Sequence, residues 1–259
     1  MYNVKNFLEN PNILSKASGG PFTIVEYQLD KSVSHYNATT EYFAAMMNVH
    51  ARQVVCDISK SPVTLQAGAM QWMLGNVKVE TGVKGVGDLV GKAFKGSVTK
   101  ESAIKPIYSG EGYMVTEPTY KHLFLLNPSD FDGGLVLSDG MFLACESHLK
   151  HEIDMRNNAS SALLGNEGLF NLAISGNGFV VCESYVPMEE VIEINLENDV
   201  LKIDGPMAIC WSRSLQFTVE RTTKTLIGSA ASGEGLVNVY RGTGKVLMTP
   251  LQKYNKNQN

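Results

Sequence analysis

The chain reads as an all-β protein closed into one sandwich or barrel, and three observations predict this. A Gly-x-Gly motif recurs at Gly110-Glu111-Gly112, Gly176-Asn177-Gly178 and Gly242-Thr243-Gly244; 178 less 112 and 244 less 178 both give 66. A period kept twice without drift marks an internal repeat. The segments between the glycines are short, rich in Val, Ile, Leu and Phe, and bounded by Asp-Gly, Gly-Gly and Gly-x-Gly, which is strand-and-turn punctuation. Hydrophobic residues make up 44% of the 259 positions and charged residues 19%, enough apolar material for a core and too little charge for disorder.

Residues 1–21 read as an N-terminal extension, with loop chemistry at Asn10-Pro11 and at Ser18-Gly19-Gly20-Pro21. Phe22 to Leu29 alternates loosely and predicts a first strand. Glu41 to Asn48 is apolar and Met-rich, and fits a strand or a helical turn equally. Met46, Met47, Met70 and Met73 are assigned to core filling, with an adaptable apolar surface as the alternative.

From Val49 the repeat extends beyond its glycines. Adding 137 carries Val49 to Val186, Val54 to Val191, Val63 to Val200, Gly68 to Gly205 and Met70 to Met207. Asp139-Gly140-Met141 answers Asp204-Gly205-Pro206-Met207, and Glu167-Gly168-Leu169 answers Glu234-Gly235-Leu236. One domain over 22–250 is therefore expected, built of three copies: 49–100 together with 233–250, 101–166, and 167–232. Residues 251–259 form a polar tail. The split first copy predicts a pseudo-threefold closure, with the last strands pairing to the first copy. Gly112, Gly178 and Gly244 are expected at the strand reversals, where φ > 0 suits glycine.

One insertion, 82–96, breaks the symmetry. Val86, Leu89, Val90, Ala93 and Phe94 fall at helical spacing, predicting a short amphipathic helix that lies on a sheet or faces a partner. The stretch is no P-loop: before Gly91-Lys92, Gly85 leaves five residues and Gly87 three, and Ala93 follows the lysine.

For chemistry, Glu146, His148, His151 and Glu152 cluster at a strand end. Small β-barrels of the cupin type hold metals with His and Glu, so Glu146, His148 and His151 are the weak metal candidates. The counterpart Ser212-Arg213-Ser214 has no ligands, and exposed rim residues explain the cluster as well. No Gly-x-Ser-x-Gly elbow occurs, and Cys56, Cys145, Cys182 and Cys210 sit in apolar strand contexts without C-x-x-C spacing. No catalytic residue, cofactor or metal is expected. A net charge of −4 argues against nucleic acid as partner. The N-terminus lacks an apolar signal core and no stretch reaches eighteen unbroken apolar residues, so a cytoplasmic location is expected.

Gly233-Glu-Gly-Leu-Val-Asn-Val-Tyr-Arg-Gly-Thr-Gly, Gly168-Leu-Phe-Asn-Leu-Ala-Ile-Ser-Gly-Asn-Gly, Asp139-Gly-Met-Phe-Leu-Ala-Cys and Ala67-Gly-Ala-Met resemble the altered-inheritance-of-mitochondria 24 family over roughly 49–250. The resemblance implies a β fold grouped with the tryptophan RNA-binding attenuation protein, a relative of double-stranded β-helices. It brings no catalytic residues, and the basic repeat that binds RNA in the attenuation protein is missing here. The expectation is a non-enzymatic binding or scaffold protein that self-associates or meets a protein partner, with any peripheral membrane contact assigned to 82–96. The alternative is a small-molecule or metal sensor, or a cupin-like enzyme, using a barrel-mouth site.

Overall fold

In the computed structural model, residues 2–81, 105–155, 170–221 and 236–251 are described. The predicted helix at 82–96 and the tail beyond 251 lie outside them. The described chain runs β1 (Ile13–Gly19), β2 (Phe22–Tyr27), α1 (Ala38–Met46), β3 (Arg52–Asp57), β4 (Val63–Leu65), β5 (Met70–Glu80), β6 (Ile107–Thr116), β7 (His122–Leu126) and β8 (Leu135–Leu137). It continues through β9 (Phe142–Glu146), β10 (Lys150–Met155), β11 (Phe170–Ser175), β12 (Val180–Ser184), β13 (Ile192–Asp204), β14 (Ala208–Ser212), β15 (Gln216–Arg221) and β16 (Leu236–Met248).

These strands form two sheets. The first runs β1-β2-β3-β6-β4-β9-β12-β7, with β5 also paired to β6, and curls into a nearly closed barrel. Its ends approach each other at Gly19, where a Cβ would lie 2.9 Å from Leu125 of β7. The second runs β10-β11-β8-β14-β16-β13, with β15 also on β16, and makes a half-barrel. One core lines the barrel (Phe22, Val54, Leu65, Met114 and neighbours) and a second joins the sheets (Phe124, Leu137, Val180, Ile209). A third fills the half-barrel around Trp211, Phe217 and Tyr240, whose rings lie 5.0–5.3 Å apart.

Three expectations need correction. The last strand does not return to the first copy: among the described strands, β16 pairs with β13, β14 and β15, whereas β3, β4 and β5 pair with β6. The copy boundaries at 100/101, 166/167 and 232/233 fall before β6, β11 and β16 and separate each of these from strands it pairs with upstream, which is why the first copy looked split. The motifs are also not reversals. Gly112 lies inside β6 opposite Gly75, and Gly244 inside β16 opposite Leu196; Gly178 stands at the corner where the chain leaves β11 in one sheet for β12 in the other. What glycine provides at Gly112 is close approach: a Cβ there would sit 2.0 Å from the Leu74 carbonyl oxygen, at φ +147°. Finally, the extension is not all loop, since Ile13–Gly19 pairs antiparallel with β2 across a Gly20-Pro21 turn.

Candidate interaction surface at the helix

Glu146 and His148 come together, but His151 does not join them. Glu146 is buried at the end of β9, and its Oε1 accepts the Phe179 N–H at 3.0 Å. Its other oxygen lies 3.9 Å from Nδ1 of the exposed His148, which donates from Nε2 to the Asn177 carbonyl at 3.0 Å. A like contact with a different side chain occurs 66 residues further on: Ser212 Oγ accepts the Lys245 N–H at 2.9 Å, and Ser212 and Lys245 stand 66 residues after Glu146 and Phe179. Glu146 thus satisfies a backbone donor released where the strand bends beside its glycines.

His151 turns inward, where Nε2 meets the Cys145 thiol at 3.0 Å and the ring stands edge-on to Phe142 at 6.3 Å. Burial, helped by the Lys105 charge, lowers the His151 pKa, and burial pushes Cys145 up to about 12. A protonated thiol beside a neutral imidazole is a poor nucleophile pair. Glu152 is engaged by Lys150 and Arg213. Among the described residues, no group of three or more His, Cys, Asp or Glu is placed to hold a metal ion.

The unusual surface lies elsewhere, between β2 and β3. These strands are antiparallel neighbours, yet the chain leaves them for residues 28–51 and builds α1 on the way. No residue of α1 is buried. Its small residues, Ala44 and Ala45, are half-buried, while Tyr42, Phe43, Met46 and Met47 are exposed. Spacing of i, i+1, i+4 and i+5 puts those four on one side. This reverses the usual arrangement, in which a surface helix turns its large apolar residues inward. The core assignment of Met46 and Met47 is overturned, since they are 68% and 78% exposed. Tyr36 and Val49, flanking the helix in sequence, are exposed as well.

The foot of the helix is firmly held. Asn48 takes a left-handed φ of +63° just past the helix, a conformation that asparagine tolerates better than most residues. Its carbonyl and side-chain oxygens both accept from Arg52 Nη2, at 3.1 and 2.8 Å. Arg52 also donates to the carbonyls of His50 and Tyr120 and pairs at 2.7 Å with Glu26. Both members of that pair are buried. Burial raises the Glu26 pKa, but the Arg52 and Lys16 charges outweigh it and hold the carboxyl below its ordinary value. One buried guanidinium therefore ties together β2, the end of α1 and the segment entering β7. Sequence reasoning missed it; Glu26, a charge inside the strand predicted over 22–29, was the available signal.

Among the described residues, the architecture is that of a two-sheet β protein with one outward-facing apolar helix. Residues 43–251 match the family described as Mitochondrial biogenesis AIM24, and the chain belongs to that family. It is 26% identical over 196 residues to the uncharacterized protein M6_Spy0233 of Streptococcus pyogenes serotype M6, covering 73% of this chain and 77% of that protein. It shares its fold with the crystal structure of protein SPYM3_0169 from Streptococcus pyogenes, at TM-score 0.58 and 24% identity, covering 80% of this chain and 90% of the other. No helix among the described residues is long and apolar enough to cross a membrane.

Proposed function

We propose that this protein is a non-enzymatic binding protein whose β body presents α1 to a protein partner. The observation that carries this reading is the reversed helix, with alanines toward the body and Tyr42, Phe43, Met46 and Met47 outward. Exposed clusters of large apolar residues mark interaction sites, and aromatic and methionine side chains are enriched in the buried centres of interfaces. The Arg52 hub supports it further, because a surface held in one geometry loses less freedom on binding.

The test uses the full chain with Phe43→Ser and Met47→Ser. Sedimentation and site-specific photo-crosslinking from position 42 in cells measure association. The variant is expected to melt like the parent while losing its crosslinked protein adduct. An unchanged adduct, or no adduct from the parent chain, would overturn the proposal.

A further inference from the structure

The ladders fall into three blocks of strands, β3–β6, β7–β12 and β13–β16, that share one register. Met73 pairs with Met114, Cys145 with Val180 and Trp211 with Val246. Each of these ladders is interrupted by a bulge at the same place, beside Met70/Trp72, Val181/Cys182 and Ala208/Cys210. Further along, Lys78 pairs with Ser109, Lys150 with Ser175 and Gln216 with Arg241.

Each block also leans on the one before it. Strand β9 adds to the edge of β4, pairing Cys145 with Thr64, and β14 adds to β8, pairing Trp211 with Val136. Side chains follow the backbone: Leu143, Ala144 and Val181 enter the core of the first block, and Ile209, Cys210 and Leu247 enter that of the second.

The two outer ends differ from these joints. The first block has no predecessor, and there Trp72 and Val115 are covered by Phe7, Ile13, Val25 and Tyr27 of the N-terminal segment. At the far end, Leu201–Ile203 corresponds to the edges Val63–Leu65 and Leu135–Leu137, but β13 pairs only with β16 among the described strands. Where the inner edges carry buried Thr64 and Val136, this one carries exposed Lys202. Lysine on an edge strand discourages further pairing, and terminal caps end a stack of repeats.

We infer that the chain is a three-block stack stopped at both ends, by residues 7–27 at one and Lys202 at the other, and that these stops keep a second copy of the chain from adding to it. The shared register places Met73 of one copy opposite Lys202 of the next. Such a contact joins unlike surfaces, so it builds open chains or rings instead of closing as a two-fold dimer.

The experiment removes both stops, deleting residues 2–27 and introducing Lys202→Val, and follows mass by sedimentation. Folded protein sedimenting at integer multiples of the chain mass is expected. Those assemblies should shorten when a Lys202→Val chain that keeps residues 2–27 as a strap over its first block is added, because it offers only one open end. A folded double variant that stays monomeric would overturn the inference. If the deletion unfolds the chain, the strap is instead loosened with Phe7→Ala and Ile13→Ala. Mixed chains carrying Met73→Cys and Lys202→Cys must then form an intermolecular disulfide, and folded chains that form none sink the proposal.

Discussion

The strand end at Glu146 and the helix at Tyr42–Met47 are opposite cases. Glu146, His148 and His151 have the residue types of a reactive site, and the fold uses them for backbone satisfaction, a surface contact and a buried thiol partner respectively. The helix has the residue types of a core, and the fold puts them in water. Residue chemistry alone therefore misjudges both, because burial and the demands of neighbouring backbone decide what a side chain does.

Five changes would break or sharpen that comparison. The largest effect is expected at the helix foot. Arg52→Ala strands the buried Glu26 carboxylate and should cost about 3–5 kcal/mol, read from the urea midpoint at constant slope. A loss below about 1 kcal/mol, the worth of an exposed pair, would show that the hub is not the anchor.

Gly112→Ala comes next. The strained φ alone should cost about 1–3 kcal/mol, and the clash with the Leu74 carbonyl adds to it; thermal melting would show the loss. At the strand end, Glu146→Ala leaves the Phe179 N–H without its acceptor and should cost about 1–3 kcal/mol. Glu146→Gln, which keeps an acceptor oxygen, should stay within about 0.5 kcal/mol. Equal losses in both would mean that the negative charge, and not the acceptor, matters there.

Acid titration tests the buried pair differently. Because the Glu26 pKa is lowered in the fold, its contribution is present above the ordinary carboxylate pKa and is lost as pH falls through the depressed folded value. Glu220 behaves alike, held to about 2 chiefly by hydrogen bonds from Arg241 and Thr218, but about a third of its side chain is exposed and solvent screening shrinks its share. Stability curves of the parent and of Glu26→Gln should therefore converge in acid, and parallel curves would remove the pair from the account. The smallest effect on stability belongs to Phe43→Ser with Met47→Ser, within about 0.5 kcal/mol by the same melts; a large loss would mean that the helix packs inward after all.

The all-β class was legible in the sequence because strand content is a local signal. The 66-residue interval reappears in the ladders as Cys145–Val180 against Trp211–Val246. What it could not show was that Gly112 and Gly244 sit inside long strands, since reversal and close backbone approach both demand glycine. The first strand, Ile13–Gly19, escaped notice because five of its seven residues are polar or small and its outer positions face water. At the candidate surface, Tyr42-Phe43-Ala44-Ala45-Met46-Met47 reads as buried by composition; only its three-dimensional neighbours reveal which side is covered. The Cys145–His151 contact joins residues on either side of a strand bend, a pairing that sequence spacing does not display.

The excursion at residues 28–51 has one more consequence. Because β2 and β3 lie side by side, the distance to be bridged is that of an ordinary hairpin, which two to five residues can span. The length of the excursion is thus not needed to join the two strands, whose register is set by the ladder from Phe22–Cys56 to Glu26–Arg52; what its foot does supply is the oxygens of Asn48 and His50 that the buried Arg52 uses.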